Sequence, residues 1–219
     1  MKLLRDLADA FSYFSILPVR HADDPPGDGA IAFLPLVGLV VGALAGFGAY
    51  GAWLITHSGF AAAMVAWVLS IGLSGAIHVD GFLDCCDGLF ATAPPQRRLE
   101  IMRDPHHGTY AIVGMAIVSV LWLYALVQIP PDMLPVTLSV TGTISRWGSV
   151  LLRQHRHWLG AVLGFVLSGA AGFLVLQFAR RRLGGTLNGD CYGAAIVVSE
   201  VALLLLFPYV VFPHPVVWQ

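Results

Sequence analysis

The chain has 219 residues, 57% of them hydrophobic and only 11% charged, with a formal net charge of −1. A soluble domain carries about 25% charged residues, so this composition and a mean hydropathy of +0.76 exclude an ordinary soluble domain. A near-neutral chain also argues against a nucleic-acid partner, which would call for a basic face. What remains is an all-α, polytopic membrane protein, about six to seven membrane-embedded helices within one domain over residues 1–219.

In chain order, Leu3, Leu4, Leu7, Phe11 and Phe14 recur at helical spacing opposite Arg5, Asp6 and Asp9. That pattern predicts a helix lying in the membrane interface within residues 1–20, and the acidic interruptions argue against a signal peptide. Residues 21–29 read as a polar loop in which Asp23 and Asp24 are solvated. Ala30 to Ile55 carries no charge and is long enough to span a bilayer; its glycines at 38, 42, 46, 48 and 51 favour close helix contact. Phe60 to Ile77 is a second predicted span.

That span ends on His78-Val79-Asp80-Gly81-Phe82-Leu83-Asp84-Cys85-Cys86-Asp87-Gly88. At about 100° per residue, Asp80, Asp84 and Asp87 fall within roughly 60° of one helix face. Carboxylates gathered that closely raise each other's proton affinity unless a cation sits between them. Carboxylate oxygens are what Mg²⁺ takes, usually with substrate phosphates. The stretch therefore predicts a metal and phosphate site at the membrane border, with Asp80, Asp84 and Asp87 as metal ligands and His78 or one of the carboxylates as proton acceptor. The three cysteines, Cys85, Cys86 and Cys191, make no disulfide framework, and with His78 they lack zinc-ligand spacing.

Gln96-Arg97-Arg98 reads as aqueous. Glu100, Arg103, Asp104, His106 and His107 follow; Asp104 is a further ligand candidate, and Arg103 suits a phosphate because its guanidinium donates two parallel bonds. His106 and His107 read as surface residues. Thr109 to Ile129 and Leu134 to Leu152 are two further spans. Arg146 lies within the latter, where an unpaired charge is costly and a role is expected. Leu159 to Phe178 is apolar and is followed by Arg180-Arg181-Arg182 and by Gly184-Gly185-Thr186-Leu187-Asn188-Gly189-Asp190. Glycine backbone can approach phosphate closely, so Gly185 and Asp190 belong to a second half of the site at 180–191. Tyr192 to Phe212, holding Glu200, is the last span.

Lys2, Arg5 and Arg20 place the N-terminus in the cytoplasm by the positive-inside rule, which makes 78–108 a cytoplasmic segment. Keeping Arg180 to Arg182 on the same side requires 159–178 to enter and leave by one face, as a hairpin broken near Ser168-Gly169.

The central stretch resembles the cobalamin synthase (adenosylcobinamide-GDP ribazoletransferase) signature H-x-D-G-x-x-D-x-x-D-G. Other segments resemble the family in the same order: Ile16-Leu17-Pro18-Val19, Phe33-Leu34-Pro35-Leu36-Val37-Gly38, Glu100-Ile101-Met102-Arg103-Asp104 with Gly108-Thr109-Tyr110, and Gly184-Gly185-Thr186 with Gly189-Asp190. Around 153–160 the chain is shorter than the family pattern. The resemblance implies a Mg²⁺-dependent transferase of the bacterial inner membrane that joins adenosylcobinamide-GDP to α-ribazole or its 5′-phosphate and releases GMP. It implies Arg103, Asp104, Arg146, Gly185 and Asp190 as substrate contacts, the lipid bilayer as surroundings, and other enzymes of the pathway or a second copy of the chain as candidate partners.

Two other readings share acidic membrane helices. A CDP-alcohol phosphotransferase would show D-x-x-D-G-x-x-A-R and then G-x-x-x-D-x-x-x-D. Here the first pair is D-x-x-x-D, Asp87-Gly88 runs into Leu89-Phe90-Ala91-Thr92, and no second D-x-x-x-D follows. A cation transporter using the same carboxylates would show inverted repeats, and the sequence carries no convincing one.

Overall fold

The computed structural model of the protein describes residues 2–19, 26–154 and 170–211, and every regular element among them is helical. In order these are α1 (Lys2–Phe14), α2 (Asp28–Ile31), α3 (Leu34–Thr56), α4 (Gly59–Leu73), α5 (Ile77–Phe90), α6 (Pro95–Ile101), α7 (Thr109–Val127), α8 (Leu134–Gln154), α9 (Ala170–Arg182) and α10 (Gly189–Val211), with a 3₁₀ turn at Pro131–Met133 before α8. Asp23, Asp24, the 155–160 part of the divergent region and the proposed break at Ser168-Gly169 fall outside the described residues.

Among the described residues two helices, α3 and α7, are long and apolar enough to cross a membrane, and α4 with α5 makes a third if the pair is one broken span. Sequence reading ran the second span through to Ile77. The helix instead ends at Leu73, where Gly75 (φ 62°) and Ala76 (φ 57°) are both left-handed. Glycine enters that region freely; alanine does so only at a cost. Two such residues in succession turn the chain, and α5 leaves at 88° to α4. The acidic stretch is thereby a separate helix set nearly at right angles to α4, not a straight continuation of it. α8 begins at Leu134 as expected, but Thr137, Ser139, Thr141, Thr143, Ser145 and Arg146 give it a polar stripe.

Lipid tails are as apolar as leucine, so close packing rather than burial must hold membrane helices together. The core reflects this. Ala45 and Ala49 of α3, Ala62, Ala63 and Ala66 of α4, Trp122, Ala125 and Leu126 of α7, and Leu204 of α10 form one buried cluster. Contact is tightest between α3 and α8. A Cβ on Gly38 would strike the Gly142 carbonyl oxygen, one on Gly42 the Leu138 carbonyl oxygen, and one on Gly46 the Pro135 Cα. The two backbones touch along that row, one turn at a time. Gly42→Val is accordingly expected to separate the helices and cost about 1–3 kcal/mol or more. Gly51→Val, on the same helix with nothing within 4 Å of its Cβ position, is expected to leave the thermal midpoint in detergent nearly unchanged. Equal midpoints for the two variants would contradict the contact.

A second cluster, Cys85, Leu89, Met102, Leu176, Ala179, Leu183, Cys191, Ala194 and Ala195, ties α5 and α6 to α9 and α10. α1 lies across the bundle with Ala10 buried against Ala30, Val37 and Val41, while Leu3 and Leu4 stay 69% and 72% exposed. That is the two-sided character expected of an interfacial helix.

Candidate active site

The site is built on α5 and on the start of α10. α5 is fixed at its C-terminal end, where carbonyl groups lack intrahelical partners and the helix dipole is negative. Arg98 donates to the carbonyl oxygens of Gly88 (3.0 Å), Leu89 (2.5 Å) and Ala93 (2.7 Å). Arg182, at the end of α9, donates through Nε to Leu89 O at 2.9 Å. Arg98 is therefore a buried strut, 5% exposed, where the sequence reads as an aqueous basic run. Arg97 alone keeps that surface character, paired with Glu100 at 2.7 Å.

The two glycines of the acidic stretch explain how neighbours come close. A Cβ on Gly81 would lie 2.9 Å from Asp190 Cα, and one on Gly193 would lie 3.2 Å from the His78 carbonyl oxygen. α5 and α10 thus cross at small residues, which brings Asp190 opposite Asp80. Gly88 makes the same allowance for Arg98 and Met102 of the α6 segment. Asn188 caps α10, accepting from the Cys191 N–H at 3.2 Å, and donates to Asp190 Oδ2 at 2.8 Å.

The four aspartates have different surroundings. Asp80 is exposed. Asp84 is mostly buried, its side chain 16% exposed, and it stands within electrostatic reach of Asp80, Asp190 and Asp87. The imidazole of His107 lies between the first two, Nε2 3.7 Å from Asp80 Oδ1 and Nδ1 3.7 Å from Asp84 Oδ1. Asp87 is turned elsewhere: its carboxylate accepts from the N–H groups of Gly108 at 2.5 Å and Ala111 at 3.0 Å, capping the N-terminus of α7. Among the described residues, no three His, Cys, Asp or Glu side chains stand close enough to enclose a metal ion unaided.

An open cleft of ≈ 420 Å³ lies above this carboxylate group, its wall including His78, Asp80, Gly189, Asp190, Phe14 and Tyr192. His78 is 6% exposed, stacks on Phe14 with centroids 6.1 Å apart, and has a buried Nε2 with no hydrogen-bond partner. No described lysine or arginine lines the cleft. An anionic ligand could settle there only with a cation, and a pure carboxylate donor set is the kind that Mg²⁺ accepts while keeping several waters. The residues present fit that ion as an open platform, not as a closed cage.

The other predicted contacts lie apart. Asp104 faces a separate hollow of ≈ 290 Å³ with Asp87, Arg97, Glu100, His106 and Tyr110. The His106 N–H and ring nitrogen, each 2.9 Å away, hold its carboxyl below the usual carboxylate range. Arg103 is exposed on the turn after α6, and Gly185 (φ 99°) is exposed on the turn after α9. Arg146 is 4% exposed inside the bundle, ion-paired with Glu200 and bonded to the Gly142 carbonyl oxygen at 3.1 Å. Two placements in this neighbourhood go beyond the sequence reading: His107, a surface residue as expected, stands between two carboxylates, and Glu200 is the partner of Arg146. For the second a signal existed, since opposite charges in two apolar spans are expected to find one another.

A helical membrane protein with a carboxylate-lined cleft, assembled from two distant stretches of chain, is the class that this fold and site define. The Cobalamin-5-phosphate synthase family pattern matches residues 6–157 and 155–208. The chain belongs to that family. It is 34% identical to the adenosylcobinamide-GDP ribazoletransferase of Deinococcus radiodurans over 89% of this chain and 82% of the relative. It is 32% identical to the Klebsiella pneumoniae enzyme of the same name (93% and 99%) and 30% identical to that of Desulfitobacterium hafniense (94% and 97%). No solved structure matches the chain.

Proposed function

We propose that this protein is an adenosylcobinamide-GDP ribazoletransferase, joining adenosylcobinamide-GDP to α-ribazole or its 5′-phosphate with release of GMP. The observation that carries this reading, beside the family, is the meeting of Asp80 and Asp190 at one cleft from elements far apart in sequence, with Asp84 within electrostatic reach of both. In the reaction a ribose hydroxyl oxygen forms a bond to the phosphorus nearer the corrinoid, the bond from that phosphorus to the bridging oxygen breaks, GMP leaves with the bridging oxygen, and the hydroxyl proton is taken up.

Asp80, Asp84 and Asp190 are the residues that would hold Mg²⁺, and the ion would supply neutralisation of charge on the phosphate oxygens. Asp87, by capping α7, keeps the 104–108 turn and hence His107 against the other carboxylates. The hydroxyl proton has an acceptor at the cleft wall in a carboxylate oxygen of Asp80; His78 also borders the cleft, with its Nε2 buried. Tyr13, Phe14 and Tyr192 give the cleft an apolar side that suits the uncharged parts of large substrates. The fully polytopic arrangement of about six to seven membrane-embedded helices, in the bacterial inner membrane with the cleft on the cytoplasmic side, is part of the same proposal, supported by the positive-inside bias of Arg97, Arg98 and Arg180 to Arg182.

GMP release from the two substrates by the purified chain tests the activity; no release with both present would refute it. Sidedness has its own measurement. Thr186 is exposed on the turn before α10, and Cys85, Cys86 and Cys191 are buried. Thr186→Cys in sealed inverted vesicles is expected to react with an impermeant maleimide, and in right-side-out vesicles not to react. The opposite pattern would place the Asp190 half of the cleft on the outer face.

A further inference from the structure

A second, interior cavity lies in the middle of the bundle, between α3, α4, α7, α8 and α10, and shares His78 as a wall with the open cleft. It measures ≈ 50 Å³. At 10–15 Å³ per water this is room for about four waters, or on the order of 120 Å³ at liquid density, which is the bulk of one bicyclic ring. Its walls include Trp67, Trp122, Met115 and Val118 on the apolar side and Arg146 and His78 on the polar side. Both polar residues are more than nine-tenths buried, and each carries a nitrogen without a hydrogen-bond partner, Arg146 Nε and His78 Nε2. A buried donor or acceptor left unpaired costs about 1–3 kcal/mol, so such atoms mark a place where something else binds.

The chemistry of the cavity narrows what that is. The charge of Arg146 is balanced by Glu200, so the cavity selects a neutral ligand. One carboxylate oxygen of Glu200, Oε1, accepts from Arg146 and from Ser145 Oγ at 3.2 Å. The unmet need is for an acceptor in the plane of a flat, apolar ring. A benzimidazole nucleoside has one free in-plane ring nitrogen and no N–H. Guanine, the other ring in the reaction, is larger and brings several N–H groups beyond the acceptor that Arg146 Nε–H requires.

We infer that the interior cavity seats the flat heteroaromatic base of the attacking nucleoside, its ring nitrogen accepting from Arg146 Nε–H, with the ribose passing His78 toward the carboxylate cleft. This rests on the transferase reading above and assigns one of its two substrates to a separate, membrane-embedded subsite. Arg146 is thereby a specificity-determining residue, remote from the reacting phosphorus.

The test is calorimetric titration of the full chain in detergent with α-ribazole, and separately with GDP, in the absence of corrinoid. Wild type is expected to bind α-ribazole. Val118→Phe, which fills the cavity, and Arg146→Lys, which keeps a cation for Glu200 but loses the Nε–H, are each expected to weaken that binding about tenfold or more, or about 1.4 kcal/mol, and to raise the KM for α-ribazole without raising that for the corrinoid. Should Val118→Phe fail to fold, Arg146→Lys still decides. Unchanged α-ribazole affinity in the folded variants, as a cavity holding only water would give, overturns the assignment; so does loss of GDP binding in place of α-ribazole binding. Loss of α-ribazole binding in the variants of a wild type that releases no GMP would support the subsite while removing the transferase reading, so the two failures are distinguishable.

Discussion

Asp84→Asn is expected to lower GMP release by about 10²- to 10³-fold at limiting Mg²⁺, the scale seen when one preorganised group facing transition-state charge is removed. The reasoning is local. Asp84 is the member of the acidic group that is both well shielded from water and within reach of Asp80, Asp87 and Asp190. Its charge is costly there without a cation, which is why the proposed Mg²⁺ site includes it. Asparagine keeps the side chain's shape and the packing of α5, so the loss should appear in turnover and in divalent-ion affinity and not in folding. Asp87→Asn is the contrast. One amide oxygen can still accept from the Gly108 or Ala111 N–H, but not both with the strength of a carboxylate, so that variant should lose stability, about 0.5–2 kcal/mol as for a weakened cap, before it loses chemistry. Near-normal turnover of Asp84→Asn at limiting Mg²⁺ would remove the carboxylate from the reaction.

Much of this was legible in the sequence because its determinants are local. A run such as Thr109 to Val127 has one physical solution, and helix boundaries for α7, α8 and α10 follow within a few residues from where charge, proline and glycine stop the apolar pattern, whereas the run expected from Ala30 divides into α2 and α3. The gathering of Asp80 and Asp84 on one face follows from helical periodicity alone. What was not legible depends on partners remote in the chain. Asp87 obeys the same periodicity as Asp84, yet the arrival of α7 makes it a cap. Arg98 looks like its neighbour Arg97 in sequence; only the exposed carbonyls at the end of α5 separate their fates. The sharp turn at Gly75 and Ala76 hides because alanine gives no warning of a left-handed conformation. His107 follows an ordinary turn, and its place between two carboxylates comes from the Asp87 cap that holds that turn down.

The largest effect on stability is expected at Arg146. Removing one partner of a buried ion pair leaves an uncompensated charge where water cannot reach it, a loss of about 3–5 kcal/mol. With side chains 5% and 16% exposed, Arg146 and Glu200 meet that description, and their pairing joins α8 to α10 beside the cavity that touches His78. Arg146→Ala strands the Glu200 carboxylate, and Glu200→Ala strands the guanidinium, so each single variant should lower the thermal midpoint in detergent sharply. The double variant leaves no charge stranded and should be more stable than the sum of the two single losses predicts, by about 0.5–3 kcal/mol. Strict additivity would mean that the two charges do not depend on each other and that water reaches at least one of them. The double variant also separates structure from recognition: it should recover part of the fold while α-ribazole binding stays lost, since neutralising the pair does not restore the Nε–H that the interior cavity offers.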